Sequence, residues 1–421
     1  MKIGIIDAEI MGKSKHRFPN LVCMKLSNYY KSKDNDVELV LDYDEVDNYD
    51  KVFVSKVFIK TEIPCEQEDK TLKKEDTIME FYKDNKFLAK ENIEYGGTGF
   101  FYDKAPKLDY EIEHFMPDYN LYTKWVNKCI ENGAKEKEFT YYRDYSIGFV
   151  TRGCFRQCQF CVNKHYKKCE RHSNLDEFMD VSRPKLCFLD DNFFACGDWK
   201  EIIKEVKSTN KKFQFKQGLD ERLLTEEKVH ELNSWKYDGD FIFAFDNIED
   251  KDLIISKLDM IYRLYPNFKH QMKFYCFCGF DRDNKYTIDF WNKDIKELFE
   301  RIFILSKYSA FPYVMRHENY NLSPYRDLYT YIASWTNQPS MFKSFSFKLY
   351  CICHGMTNEG YKKYKRDIDG YLKEFGKKYN SWRVVEDFEK NNGEKLCNQI
   401  NIFPQELVEY GRWKKQCNNQ C

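Results

Sequence analysis

Three cysteines carry the clearest chemistry in this chain. Within Thr151–Cys161, a run reading TRGCFRQCQFC, Cys154, Cys158 and Cys161 form a C-x3-C-x2-C array. Three thiolates on one short loop suit a four-iron four-sulfur cubane and leave one iron without a protein ligand. An iron with an open position is a place where a substrate can be activated. Zinc is the alternative reading, with His165 or Cys169 as a fourth ligand. Structural zinc favours paired C-x2-C spacing, and here the first gap is one residue too long for it.

The array, with the aromatic Phe160 before the third cysteine, resembles the signature of the radical S-adenosylmethionine (radical SAM) enzymes. The resemblance implies that the open iron is chelated by S-adenosylmethionine. One electron, delivered by a donor such as flavodoxin or ferredoxin, would then release a 5′-deoxyadenosyl radical that takes hydrogen from an unknown substrate. In such a system the cofactors carry the chemistry and the protein orients and shields it.

Elements of the right kind surround the array. Strand-like runs occur at Tyr145–Val150, Lys185–Leu189, Phe213–Lys216, Phe241–Phe245, Lys273–Phe277 and Pro312–Met315, with helical patterns such as Trp199–Ser208 and Asp252–Leu264 between them. Repeating βα units of this length predict a partial (β/α)6 barrel of the TIM type. Barrel chemistry sits on the loops after the carboxyl ends of strands, which is where the cysteines fall. The other strand ends supply further candidates. Asp190, Asp191 and Asn192 follow the second strand, where the family commonly has Gly-Gly-Glu for the amino group of S-adenosylmethionine; a helix cap is the alternative role. Asp220 suits ribose hydroxyls and Arg222 the methionine carboxylate, with a local Asp–Arg pair as the alternative. Asp246 ends the fourth strand, and Gly279 after the fifth lets adenine lie on backbone. His317 reads as a general base, a substrate contact or a loop cap.

The first hundred residues have a different rhythm. Strand candidates Lys2–Ile6, Val37–Leu41 and Lys51–Phe58, with a helical segment over Asn20–Tyr30, read as a βαβ unit with a parallel sheet. Gly96-Gly97 at the end of a later strand permits close backbone approach to a ligand. This half is similar to cobalamin-binding domains of the doubly wound, Rossmann-like type. In the family's D-x-H-x-x-G motif the histidine position is Glu9 here (Asp7–Gly12, DAEIMG), so the resemblance implies a cobalamin-free or base-off domain, with cobalamin a candidate cofactor. His16 reads as a loop histidine. The expected organisation is a Rossmann-like domain over 1–105, a linker over 106–143, the barrel over 144–318 and a mixed C-terminal extension over 319–421.

Composition sets the outer bounds. The chain has 421 residues, 42% of them hydrophobic and 17% aromatic, enough for more than one packed core. Lys+Arg and Asp+Glu are both 68, so no overall field attracts nucleic acid or an anionic membrane. No run approaches the roughly 18 apolar residues of a membrane span, and MKIGIIDAEIMGK lacks a signal-peptide core. Sixteen cysteines without secretion imply a reducing compartment, so the expected location is cytoplasmic. Cys276 with Cys278 and Cys351 with Cys353 alternate along strands, while Cys397, Cys417 and Cys421 lie downstream and Cys23, Cys65 and Cys129 upstream; none forms a tight second array. The Lys- and Tyr-rich stretch Tyr361–Tyr379 reads as an amphipathic helix, with a nucleic-acid contact as the alternative. The expected function is therefore a radical SAM enzyme. Two alternatives stay open: a cobalamin-dependent radical SAM methyltransferase, and a metal-stabilised RNA- or protein-binding protein without catalysis.

Overall fold

The computed structural model describes residues 1–64, 85–163, 166–344, 347 and 350. Cys65, His165, Cys351, Cys353, Tyr361–Tyr379, Cys397, Cys417 and Cys421 lie outside the described residues. The chain forms two compact units, one of Met1–Leu219 with Trp235–Asp238, the other of Asp220–Ser234 with the chain from Gly239 on.

The first unit begins with β1 (Lys2–Asp7), an Ile-rich run buried on both faces. A strand apolar on both faces belongs inside a parallel sheet. Accordingly β2 (Asp36–Leu39) and β3 (Lys51–Ser55) pair with its two edges, and β4 (Ile93–Gly96) adds beyond β3. All pairs are parallel, in the order β2-β1-β3-β4. Helix α1 (Leu21–Lys31) makes the first crossover. Its cap, Asn20, accepts from the amides of Val22 and Cys23 at 3.1 and 3.4 Å, two of the donors a helix start leaves open. The ladder of β3 stops at Ser55, short of the expected Phe58, because the amides of Val57 and Phe58 turn to the Glu9 carboxylate, each at 3.0 Å.

Residues 106–143, read above as a linker, pack into the core of this sheet. Trp125 and Val126 of α2 (Thr123–Glu131), with Tyr122, Phe139 and Tyr142, join Ile3, Ile5 and Phe53 in one cluster. The buried Arg183 ties this segment to the next sheet by donating to the carbonyls of Tyr142 and Tyr145, both at 3.0 Å.

A second parallel sheet in the first unit runs β5 (Tyr145–Gly148), β8 (Lys185–Phe188), β9 (Lys212–Phe215), in that order. Between β5 and β8 lies a short antiparallel ribbon, β6 (Thr151–Arg152) with β7 (Glu170–Arg171). Helix α3 (Trp199–Ser208) crosses from β8 to β9 and buries Ile202, Ile203 and Val206. At the outer edge of β9, Phe213 makes a parallel bridge with Tyr237.

The second unit holds β10 (Phe241–Ala244), β11 (Met272–Cys278) and β12 (Phe311–Arg316), again parallel and in sequence order. Helices α5 (Lys251–Leu264) and α6 (Ile288–Lys307) form the crossovers, and α4 (Glu226–Ser234) precedes β10. Pro312 is accommodated because β12 is an edge strand. All six strands expected between residues 145 and 315 therefore form, in two parallel sheets of three. Among the described residues no helix is long and apolar enough to cross a membrane.

Candidate metal centre

The three cysteines lie on the loop between β6 and β7, whose ribbon pairs Thr151 with Arg171 and Arg152 with Glu170 and so closes the loop at its base. Just inside the closure Gly153 has φ +101°, and a Cβ there would stand 2.1 Å from the Lys168 carbonyl oxygen. Only glycine fits such a crossing. Gln157, itself at φ 47°, donates its amide to the carbonyls of Cys154 (3.1 Å) and Tyr166 (2.8 Å), strapping the loop internally. The Cys161 amide donates to the Cys158 carbonyl at 3.0 Å, the Asn163 amide points at the Cys161 sulfur at 3.3 Å, and Tyr102 donates to the Phe160 carbonyl at 3.3 Å.

Asp190, Asp191 and Asn192 follow β8, the strand beside β5; Asp190 reaches the start of β6, and Asp191 and Asn192 reach the loop itself. Asp190, 1% exposed, accepts from the Val150 amide (3.0 Å), the Thr151 amide (2.8 Å) and the Thr151 hydroxyl (2.6 Å). Burial still pushes its carboxyl up to about 7, against the lowering effect of those bonds. Asp191 accepts from the Gly153 amide at 2.8 Å and from the Asn163 side chain, so one carboxylate joins the two flanks of the cysteine array. Asn192 directs its amide to the Cys154 sulfur at 3.5 Å. Sequence reasoning pointed these residues at a bound amino group; the bonds made here go to the cysteine loop.

The sulfurs divide into two classes. Cys154, Cys158 and Cys161 are partly exposed, whereas Cys23, Cys129, Cys169, Cys187, Cys196, Cys276 and Cys278 are buried. Burial drives the Cys169 thiol up to about 12, which disfavours it as a thiolate fourth ligand. Among the described residues no group of three His, Cys, Asp or Glu side chains is drawn together as a ready coordination sphere. What the loop presents is three partly exposed thiols, with N–H groups aimed at two of them.

The remaining candidates belong to the second unit. Arg222 is paired with Asp220 at 2.7 Å and Asp250 at 2.8 Å. Asp246 accepts from the Phe277 amide at 3.0 Å, tying β10 to β11, and burial raises its pKa. The Gly279 amide donates to Asp294 at 2.9 Å, and a Cβ on Gly279 would approach that of Tyr320 at 3.0 Å. His317 caps a turn, accepting from the Asn319 amide at 3.3 Å. Arg301, buried in α6, was not singled out in the sequence. It donates to the carbonyls of Phe245, Asp246 and Phe277 at 2.8, 3.0 and 2.9 Å and holds the ends of β10 and β11. An arginine within a helix carries no sequence signal of that role.

At the ends of β1, β3 and β4, Glu9, Asp7 and Gly97 are held by bonds and contacts within this unit. Glu9, 2% exposed, accepts the Val57 and Phe58 amides at 3.0 Å each and the Thr61 hydroxyl at 2.6 Å. Asp7 accepts the Tyr122 hydroxyl at 2.8 Å, and burial lifts its pKa to about 6. Gly97, at φ +110°, abuts the Lys56 carbonyl, which a Cβ would meet at 2.2 Å. His16 hydrogen-bonds the Tyr142 hydroxyl at 3.0 Å. Gly97 and the DAEIMG loop thus both engage the segment that follows β3. No protein-family model matches this chain, and no curated protein matches it significantly.

Proposed function

We propose that this chain is a radical SAM enzyme in which Cys154, Cys158 and Cys161 hold a four-iron four-sulfur cluster. The observation that carries the reading is the coincidence of motif and accessibility: the three cysteines of the array are partly exposed, while the other described cysteines are buried. They also follow a parallel strand at its carboxyl end, on a loop anchored by the Asp190–Asn192 segment of the neighbouring strand. Such strand ends are where α/β sheets place chemistry.

In this reading the six parallel strands make up the partial barrel. When bound, the cluster and S-adenosylmethionine would supply a 5′-deoxyadenosyl radical for hydrogen abstraction. The chain's own contribution is positional. Asp190 fixes the entry to the loop, Asp191 closes it around the array, and Asn192 and the Asn163 amide place hydrogen-bond donors beside two sulfurs. Donors of that kind stabilise thiolate charge and tune a cluster's potential. Flavodoxin- or ferredoxin-like proteins are the class of reductant this needs. A noncatalytic, metal-stabilised binding protein is the competing proposal.

Anaerobic reconstitution followed by iron counting and paramagnetic resonance tests the metal assignment. The reading expects about four irons per chain and a reduced-cluster signal that disappears in Cys154→Ala. An iron-free protein, or a signal indifferent to that substitution, contradicts it.

A further inference from the structure

Ile147, Cys187 and Gln214 stand in register across β5, β8 and β9, so their side chains share one face of the sheet. On that face Tyr145, Ile147 and Cys187 form a small core with Phe18, Tyr141 and Leu189 packed against it. Lys216, two residues beyond Gln214, carries the same face past the end of β9. Its ammonium donates to the Tyr141 hydroxyl at 2.9 Å and lies 4.3 Å from the Tyr141 ring centre and 5.6 Å from that of Phe18. Lys216 is partly exposed and has no ion-pair partner among the described residues.

The hydrogen bonds fix the polarity of this group. An ammonium only donates, so the Tyr141 oxygen must accept from Lys216. The single Tyr141 proton then goes to its other neighbour, the Gln214 side-chain oxygen at 3.1 Å. That orients the amide with its NH2 away from Tyr141. Gln214 is 8% exposed, and its NH2 has no partner among the described residues. Two donor groups with capacity to spare, one of them cationic, therefore stand together on an aromatic and aliphatic floor. A half-buried charge without a counter-ion, beside an amide NH2 open to solvent, is stabilised by an acceptor-rich anion.

We propose that Lys216 and Gln214, with Tyr141 as the positioning residue, bind the carboxylate of a small organic substrate whose planar apolar body lies against Phe18 and Tyr141. The inference rests on the proposed enzymatic reading only in calling that anion a substrate, because the same sheet edge carries the cysteine loop. Binding itself requires no metal.

The test uses the full chain without metal at low ionic strength, with benzoate as probe and neutral benzamide as control, followed by saturation-transfer NMR and calorimetry. Wild type is expected to bind benzoate saturably in the millimolar range, and not benzamide. Lys216→Met should weaken benzoate at least tenfold, Lys216→Arg should restore it to within about threefold, and Tyr141→Phe should weaken it several-fold with circular dichroism unchanged. No benzoate binding, equal binding by Lys216→Met, or equal binding of benzamide overturns the proposal. Iron incorporation by Lys216→Met reports on the cluster separately, so either reading can fail without the other.

Discussion

Removing the Asp191 carboxylate should weaken metal binding by the cysteine loop without unfolding the protein. Asp191 accepts from the Gly153 amide at 2.8 Å and from the Asn163 side chain, residues that bracket all three cysteines. A hydrogen bond to a charged acceptor contributes about 1.5–3 kcal/mol when buried, and partial exposure brings each of these to about 1–1.5 kcal/mol. Losing both in Asp191→Ala therefore raises the free energy of the closed loop by about 2–3 kcal/mol. At 1.4 kcal/mol per decade, that is roughly a 30- to 150-fold loss of affinity, overlapping the range expected for outer partners of metal ligands. Asp191→Asn keeps one acceptor oxygen and should lose about tenfold. Anaerobic titration of the reduced protein with cobalt(II), followed by the thiolate-to-cobalt charge-transfer band, measures this directly. The midpoint of thermal unfolding without metal should move by only a few degrees. Unchanged cobalt affinity in Asp191→Ala would refute the assignment of Asp191 as the latch of the loop.

Gly153→Ala should abolish cobalt binding outright, because its φ of +101° and the Lys168 oxygen 2.1 Å from the added Cβ force the loop open at its base; binding as tight as wild type contradicts the strapped-loop geometry. Asp190 and Asp7 should each contribute a loss of stability as pH rises from about 4 toward 7, opposed by His172, whose pKa burial lowers to about 4. The reason is that Asp190, whose folded pKa is about 7, and Asp7, at about 6, hold more protons folded than unfolded across that interval. Urea midpoints of wild type and Asp7→Asn across that window check the sign, because the substitution should remove the Asp7 share of that loss. Glu9→Ala leaves the Val57 and Phe58 amides and the Thr61 hydroxyl without their acceptor and should destabilise by about 2–4 kcal/mol in urea unfolding; a loss below about 0.5 kcal/mol would remove the clamp from the account. Arg301→Met strips three carbonyls of their donor and should destabilise by about 3 kcal/mol, read in the same assay.

Periodicity made the elements legible. The β-branched run of β1, the alternating apolar register of β11 and the 3.6-residue pattern of α3 each point to one conformation, and each forms as expected. Strand ends were less legible, because side chains distant in sequence decide where a ladder stops; β3 ends where Glu9 captures its amides. Among site residues, the cysteine array stood out by its C-x3-C-x2-C spacing alone. The strand-end acids were visible as acids, but their partners were not. Asp190 and Asp191 address a loop about 40 residues upstream in the chain, a pairing only the β5–β8 register creates. Gln157, Asn163, Tyr141 and Arg301 gave no signal at all, since an isolated amide, phenol or guanidinium has no pattern until folding supplies its neighbours.

Production of 5′-deoxyadenosine distinguishes a catalytic cluster on the cysteine loop from a structural metal centre. Reconstituted protein, reduced with dithionite and supplied with S-adenosylmethionine, should release 5′-deoxyadenosine and methionine in equal amounts, measured by liquid chromatography and mass spectrometry. Alanine at Cys154, Cys158 or Cys161 should remove this activity. A fully loaded cluster that leaves S-adenosylmethionine intact under these conditions would contradict the catalytic reading and favour a structural metal centre.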